Sequence, residues 1–374
     1  MYLQHLTLRD YRNYQSVDTD FSPQINVLIG ANAQGKTNLL ESVYALALAR
    51  SHRTNNDRDL IRFGSEFARV DGTVVRSTGP VKLGLVVSKQ GKRARINGRD
   101  APRLSQYLGK LNVILFAPED LNLVKGSPAL RRRFIDMEFG QMSAKYLYNL
   151  AQYKVTLKQR NAYLKQLKYG QARDTVYLDV LTEQLAQFGA AVAVARAELL
   201  ANMGQFAGVI HHDITRGGEE LQLRYETQID DQALQSEEAT TKDLLAQYQQ
   251  ARPRELDQGT TLVGPHRDDI EFIVNDRNVA VYGSQGQQRT AALAVKLAEI
   301  DLMKQETGEY PVLLLDDVLS ELDDSRQTHL LKAIQDKVQT FLTTTSLDGI
   351  AREIIQAPNV LRVQAGTLEA AGND

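Results

Sequence analysis

Ile25-Asn26-Val27-Leu28-Ile29-Gly30-Ala31-Asn32-Ala33-Gln34-Gly35-Lys36-Thr37 is the stretch on which the fold turns. An apolar run of strand length ends on a glycine, Gly30 to Thr37 fit G-x-x-x-x-G-K-[ST], and a helix-forming segment, Lys36 to Ala49, follows. Glycines at these positions let the backbone curl around a phosphate and aim N–H groups inward, and the helix dipole adds positive potential at the same point. Lys36 then serves as a point charge for the β- and γ-phosphates, and Thr37 as a Mg²⁺ ligand. Gly30, Ala31, Asn32, Ala33, Gln34, Gly35, Lys36, Thr37 and the adjacent Asn38 are therefore candidate ATP contacts.

Such a loop works with a strand that ends in a carboxylate, and Val312-Leu313-Leu314-Leu315-Asp316-Asp317 supplies one. Asp316 is the second candidate Mg²⁺ ligand, and Asp317 the candidate that polarises the attacking water. Lys36, Asp316 and Asp317 make up the expected catalytic set. No Asn-Lys-x-Asp sequence occurs, which disfavours guanine recognition.

The chain has 374 residues, 44 Lys+Arg against 46 Asp+Glu, a formal charge of −2, and neither cysteine nor tryptophan. That length predicts two or three folding units with a sizeable core. Disulfides, Cys-ligated metals and thiolate nucleophiles are excluded, and a cytoplasmic location is expected. The longest apolar runs, such as Val312 to Leu315 and Ala190 to Ala195, fall far short of the ~20 residues that cross a bilayer. The N-terminal MYLQHLTLRDY has no signal-peptide pattern, and no membrane partner is expected.

Alternation from Phe67 to Asn97 predicts an antiparallel meander, and Asn112 to Phe116 another buried strand. From Ser127, a candidate N-cap before Pro128, helical spacing runs to about Leu167. After a break at 169–172 it resumes from about Asp174 to His211. These stretches form either a long antiparallel arm or a multi-helix domain. Strands are expected at Asp269 to Val274 and Asn278 to Tyr282, helices at Gln287 to Glu306 and about Ser325 to Asp336, and a last strand at Gln339 to Thr345. The fold class is α/β, a P-loop head with an inserted, mainly helical second domain. Residues 1–116 and 307–374 form the nucleotide lobe, 117–268 the helical lobe, and 269–306 its hairpin and final helix.

Gly283-Ser284-Gln285-Gly286-Gln287, at the start of that helix, resembles the LSGGQ signature of ABC ATPases, and Leu319-Ser320-Glu321-Leu322-Asp323 resembles their D-loop. Together with RNY at 12–14, SPALRRRFID at 127–136, GPHRDD at 264–269 and GSQGQQR at 283–289, they make the chain similar to the RecF family of bacterial DNA replication and repair ATPases, relatives of SMC heads. The resemblance covers almost the whole chain. The interval between Lys36 and Asp316 leaves no room for the long coiled coils of SMC proteins.

The resemblance implies an ATP-dependent homodimer in which Ser284, Gly286 and Gln287 meet the γ-phosphate held by the opposing subunit and Asp323 lies at the interface. Arg12 and Asn13 are implied near the nucleotide, with a surface turn as the alternative, and Arg53 near phosphate or DNA, with a solvated side chain as the alternative. It also implies binding to single-stranded and duplex DNA at gaps or junctions, a role in DNA damage and the SOS response, and handover to RecR, RecO and RecA. Arg131, Arg132 and Arg133, with Lys92 and Arg93, are the candidate DNA contacts, a solvated charged face being the alternative. Two departures from ABC transporters, Asp317 in place of Glu and Thr343-Thr344-Thr345-Ser346 in place of the switch His, predict slow hydrolysis used as a switch. Glu119 or Asp120 stands where a Q-loop glutamine is expected. A transporter ATPase subunit and a metabolite kinase are the rival readings.

Overall fold

The structure, a computed structural model, describes residues 1–118, 120, 123–319, 322–345 and 358–370. The chain divides into two compact units. Unit 1 comprises Met1–Asn122, Ile210–Gly218 and Ala292–Asp374, and unit 2 comprises Leu123–Val209 and Glu219–Ala291.

Unit 1 opens with β1 (Tyr2–Tyr11) and β2 (Tyr14–Asp20), then β3 (Ile25–Ile29) and α1 (Lys36–Leu48). There follow β4 (Phe67–Arg76), β5 (Gly79–Ser88), β6 (Gly91–Ile96), β7 (Arg99–Asp100), the short α2 (Leu104–Tyr107) and β8 (Val113–Phe116). The N-terminal hairpin and the meander make one antiparallel sheet in the order β2-β1-β4-β5-β6-β7. Its inner face carries Leu6, Leu8, Val70, Val74, Leu83 and Leu85, which pack in one core with the apolar side of α1. Strand alternation places the intervening residues on the solvent face.

Unit 2 begins with α3 (Pro128–Met142), α4 (Ala144–Lys168) and α5 (Val176–Ile214), the last of which also contributes residues to unit 1. Next come β9 (Leu221–Glu226), α6 (Glu237–Gln258), β10 (Asp269–Val274), β11 (Arg277–Asn278), the single turn α7 (Val279–Tyr282) and α8 (Gln285–Thr307), which belongs to unit 1 from Ala292 on. The predicted first long helix is two, because Ser143 leaves helical geometry and its side chain accepts from the Tyr146 N–H as the N-cap of α4. The expected strand at Asn278 to Tyr282 is instead a two-residue strand and a helical turn. Asn278 ends the pairing and caps α7 by accepting from the Ala280 N–H at 2.9 Å. Asn275 and Asp276, both at positive φ, turn the hairpin before it. β9 pairs with β10 and was not expected from the sequence.

α4 and α5 run antiparallel, since Tyr163 meets Tyr177, Arg160 meets Thr182 and Tyr146 meets Arg196. They are not a free arm. α6 lies along them, and a β-carbon at Gly189 of α5 would meet Tyr153 of α4 at 3.1 Å and Leu244 of α6 at 3.3 Å. Arg160, 1% exposed, ties the three helices together by donating to Thr182 of α5 at 3.0 Å and to Glu255 of α6 at 2.7 Å, and it also reaches Thr261 at 2.8 Å.

The chain completes unit 1 with β12 (Val312–Leu315), α9 (Asp324–Ile334), β13 (Thr340–Thr344), β14 (Asn359–Gln364) and β15 (Thr367–Ala370). A second sheet results, in the order β15-β14-β3-β13-β12-β8, parallel except for β15. Buried on both faces, β3 and β12 read as continuous apolar runs, as parallel strands should. Their C-terminal ends carry the loop at Gly30 and the carboxylate at Asp316 to one edge.

Removing one partner of a buried ion pair costs about 3–5 kcal/mol, whereas replacing both by apolar groups is often neutral. Arg160→Ala should therefore lower the unfolding midpoint of the chain markedly, and an Arg160→Met, Glu255→Met double variant should recover most of the loss. Equal losses in the two would show that the site is worth only its packing.

Candidate nucleotide-binding site

Gly30 leaves β3 so close to β14 that a β-carbon there would collide with the Val363 carbonyl. The loop then turns through left-handed backbone at Ala33, φ 64°, and Gly35, φ 121°. At Gly35 a side chain would also strike Asn13 Nδ2 at 2.7 Å and Tyr14 Oη at 2.9 Å. α1 starts with no side-chain cap and no acidic residue in its first turn. Its N-terminal N–H groups are left for an anion.

Lys36 Nζ donates to the Gly30 and Ala31 carbonyls at 2.6 and 3.0 Å. Burial lowers its pKa, against the pull of Asp317 and Asp316. Thr37 Oγ1 donates to Asp316 Oδ1 at 3.0 Å, and Thr343 Oγ1 of β13 donates to the same oxygen at 3.0 Å. Thr343 Oγ1 also accepts from the Asp317 N–H at 2.9 Å. Asp317 sits at φ 54°, a left-handed position that turns the chain sharply off β12. The expected catalytic and metal residues Lys36, Thr37, Asp316 and Asp317 are thus gathered at one sheet edge. Thr343 joins them as an anchor whose hydroxyl the sequence did not assign.

Behind this edge lies a buried carboxylate. Arg12, at φ 52°, forks Glu41 with two hydrogen bonds of 2.8 Å, and Ser51 donates to the same carboxylate. Burial pushes the Glu41 pKa up, but the bonds from Arg12 and Ser51 outweigh it and hold the carboxyl below its ordinary value. Arg12 therefore faces the body of α1. Asn13 touches the loop directly, donating to the Gln34 carbonyl at 3.0 Å and accepting from Asn38 at 2.8 Å, while Arg53 donates to Asn38 at 2.9 Å. Gln34 is pinned from the other side by the β14–β15 turn. Its Oε1 accepts from Ala365 N at 2.8 Å, and its carbonyl accepts from Gly366 N at 3.1 Å. The roles of Glu41 and Ser51 were missed because they depend on Arg12, which comes from the β1–β2 turn, and the C-terminal turn was missed because nothing in its local sequence points to a loop so distant along the chain.

The signature stands in unit 2. Ser284 Oγ accepts from Gln287 N at 3.2 Å while Gln287 Oε1 accepts from Ser284 N at 2.9 Å, a reciprocal capping box at the start of α8. Gln287 Nε2 also donates to Glu219 at 2.8 Å. Gly283, which departs from the ABC consensus, is required by space, since a β-carbon would meet the Val279 carbonyl at 2.6 Å. Of the D-loop, Ser320 and Glu321 lie outside the described residues, as do Glu119 of the Q-loop position and Ser346. Asp323 caps α9 by accepting from Arg326 N at 2.9 Å.

GPHRDD has a clear structural role within unit 2. Gly264, φ 112°, lets the Tyr153 and Tyr248 hydroxyls close in, and His266 Nδ1 lies 2.7 Å from Tyr153 Oη. Burial pushes the His266 pKa down to about 4, so its ring is neutral. Asp268 receives the Tyr225 hydroxyl, and Asp269 receives both arms of Arg131 at 2.7 Å. Arg131 also donates to the carbonyls of Val124 and Gly126. It is 7% exposed, and this turns it inward, away from any phosphate. Arg132 donates to the Asp268 carbonyl at 2.7 Å, and only Arg133 of the three is exposed. Lys92 and Arg93, adjacent on β6, point to opposite faces. Lys92 pairs with Asp57 at 2.9 Å, and Arg93 faces solvent.

Among the described residues, no helix is long and apolar enough to cross a membrane. Residues 2–367 match the RecF/RecN/SMC N-terminal domain model. The chain is 68% identical to the DNA replication and repair protein RecF of Lacticaseibacillus paracasei, over 99% of this chain and 100% of that one. It is 61% identical to that of Latilactobacillus sakei over 98% of each. A solved structure of the recombination mediator RecF with ATP, in the RecFOR pathway, superposes with a TM-score of 0.91 at 31% identity, covering 99% of this chain and 98% of the other. An SMC head bound to the C-terminal winged-helix domain of ScpA shares the fold, with a TM-score of 0.56 at 16% identity over 99% of this chain and 98% of that one.

The depressed Glu41 carboxyl contributes stability that is fully present above its ordinary 4.5 and is lost as pH falls through its lower folded value. Thermal midpoints measured below pH 4.5 should thus fall more steeply for the wild type than for Glu41→Gln. Parallel curves would contradict the coupling.

Proposed function

This chain belongs to the RecF family of DNA replication and repair proteins within the RecF/RecN/SMC group, and from that premise we propose that it is an ATP-driven dimerisation switch acting on DNA. The observation that carries the reading is the shared anchoring of Thr37 and Thr343 on Asp316, beneath a loop whose lysine rests on carbonyl oxygens. Lys36 would give up these carbonyl contacts for the β- and γ-phosphates of bound ATP. The convergent oxygens of Thr37 and Asp316 fit a hard divalent ion. Bound Mg²⁺ would supply charge neutralisation across those phosphates.

Asp317 orients the water, with a short side chain held off β12 by its left-handed backbone. No histidine stands at the end of β13, and Thr343 is not a base. Hydrolysis is accordingly slow and times the lifetime of a closed state. The signature completes the second half-site in trans. Ser284, Gly286 and Gln287 offer a helix N-terminus to the γ-phosphate of the opposing copy, and the capping box preorganises it until the anion arrives. DNA is held through its backbone, with Arg133 and Arg93 as solvent-facing candidates, at gaps or junctions. Partnering with RecR and RecO follows from the RecFOR context of the solved relatives. The family assignment sets aside the transporter and kinase readings.

Lys36→Ala and Ser284→Arg should each lose ATP hydrolysis, and an equimolar mixture should recover about a quarter to a half of wild-type turnover through one intact composite site. Turnover per chain should also rise with protein concentration. A mixture as inactive as its components, or turnover independent of concentration, would exclude the sandwich.

A further inference from the structure

The register of the antiparallel sheet in unit 1 contains an arrangement that stability alone disfavours. Arg9 of β1 pairs directly with Arg69 of β4, Arg69 with Val86 of β5, and Val86 with Arg93 of β6. Paired residues share a face, so Arg9, Arg69 and Arg93 form one row on the solvent side, about 14 Å long at the usual strand spacing. Like charges directly opposite each other destabilise a sheet. Here the opposition sits in a protein of net charge −2, which has acidic residues enough to relieve it.

Acidic neighbours offset only part of the charge. Asp71 is taken by Arg69, Asp100 by Arg95, and Asp18 and Asp20 by His5. Arg9, Arg93 and Lys82 make no ion pair among the described residues, and all three are exposed. The Arg9 guanidinium is held 6.0 Å over the Phe67 ring, which fixes it without neutralising it. Beside the row lies a shallow groove of about 640 Å³ with Arg9, Arg69, Lys82 and Arg95 in its walls. Gly84 keeps its floor low, because a β-carbon there would meet Asp71 Oδ1 at 2.8 Å.

We propose that this solvent face of the antiparallel sheet, through Arg9, Arg69, Arg93 and Lys82, is a docking surface for the phosphodiester backbone of a nucleic acid. It deepens the DNA-binding reading above and rests on it. Guanidinium groups suit phosphate oxygens by their forked donors, and a row that crosses four strands follows a linear polyanion. The aromatic ring in the groove wall is that of Phe67, which Arg9 covers, so the surface grips backbone and does not read bases. The row takes in only one of the two adjacent basic residues of β6. Arg93 belongs to it, while Lys92 is turned to the other face.

The test measures duplex and single-stranded DNA affinity between 50 and 200 mM salt for the wild type, an Arg9→Ala, Arg93→Ala variant, and a Lys145→Ala, Lys242→Ala control that removes equal charge from unit 2. Removing one cation that neutralises a phosphate reduces the magnitude of the log–log salt slope by about 0.9. The sheet variant should therefore have a slope shallower by about two units and bind roughly tenfold or more weakly at low salt, while still binding ATP. The control should keep the wild-type slope. A sheet variant with wild-type slope and affinity would overturn the surface and leave DNA binding elsewhere intact. Absence of salt-dependent binding by the wild type would overturn both readings. Polyglutamate that displaces DNA from this face at equal charge concentration would assign it to an acidic protein instead.

Discussion

One carboxylate oxygen organises the nucleotide edge of this protein. Asp316 Oδ1 receives the hydroxyls of Thr37 and Thr343 at 3.0 Å each, joining the end of β12 to the first turn of α1 and the end of β13. These elements are far apart in sequence, and the parallel pairing of β13 with both β3 and β12 brings their ends together. The two hydroxyls fix the carboxylate at the sheet edge. Everything else at the site adjusts around that point. Lys36 rests on the loop carbonyls, and the turn at Asp317 hangs on the Thr343 hydroxyl.

A second layer keeps the loop in shape without touching a phosphate. The Arg12–Glu41–Ser51 cluster fixes the flank of α1, and Asn13 together with the β14–β15 turn grips Gln34 from two sides. The signature repeats the design in unit 2, where a reciprocal capping box and Glu219 hold a helix N-terminus open on its outer side.

Much of this was legible in the sequence, for identifiable reasons. The loop at Gly30 and the strand into Asp316 carry their chemistry in contiguous residues, so spacing alone located them. Ser284 and Gln287 sit three apart, and that spacing is itself a capping box. What was not legible depended on partners remote in sequence. Arg131 belongs to a basic run and looked like a DNA contact, yet Asp269 buries it. Lys92 and Arg93 looked like one patch, yet strand alternation separates them. GPHRDD had no visible chemistry until the fold set Tyr153, Tyr225 and Arg131 around it. The break at Ser143 and the helical turn after Asn278 came from side-chain caps that override the apolar periodicity.

The absence of cysteine makes the central claim directly measurable. Asn32, exposed on the phosphate loop, and Gln285, exposed at the signature, can each be changed to Cys in separate chains without competing thiols. With the two variants mixed and treated with a short bismaleimide, closure of the nucleotide between two copies predicts a crosslinked heterodimer that forms with a non-hydrolysable ATP analogue and not without it. A crosslink yield indifferent to nucleotide, or none under either condition, would contradict the account.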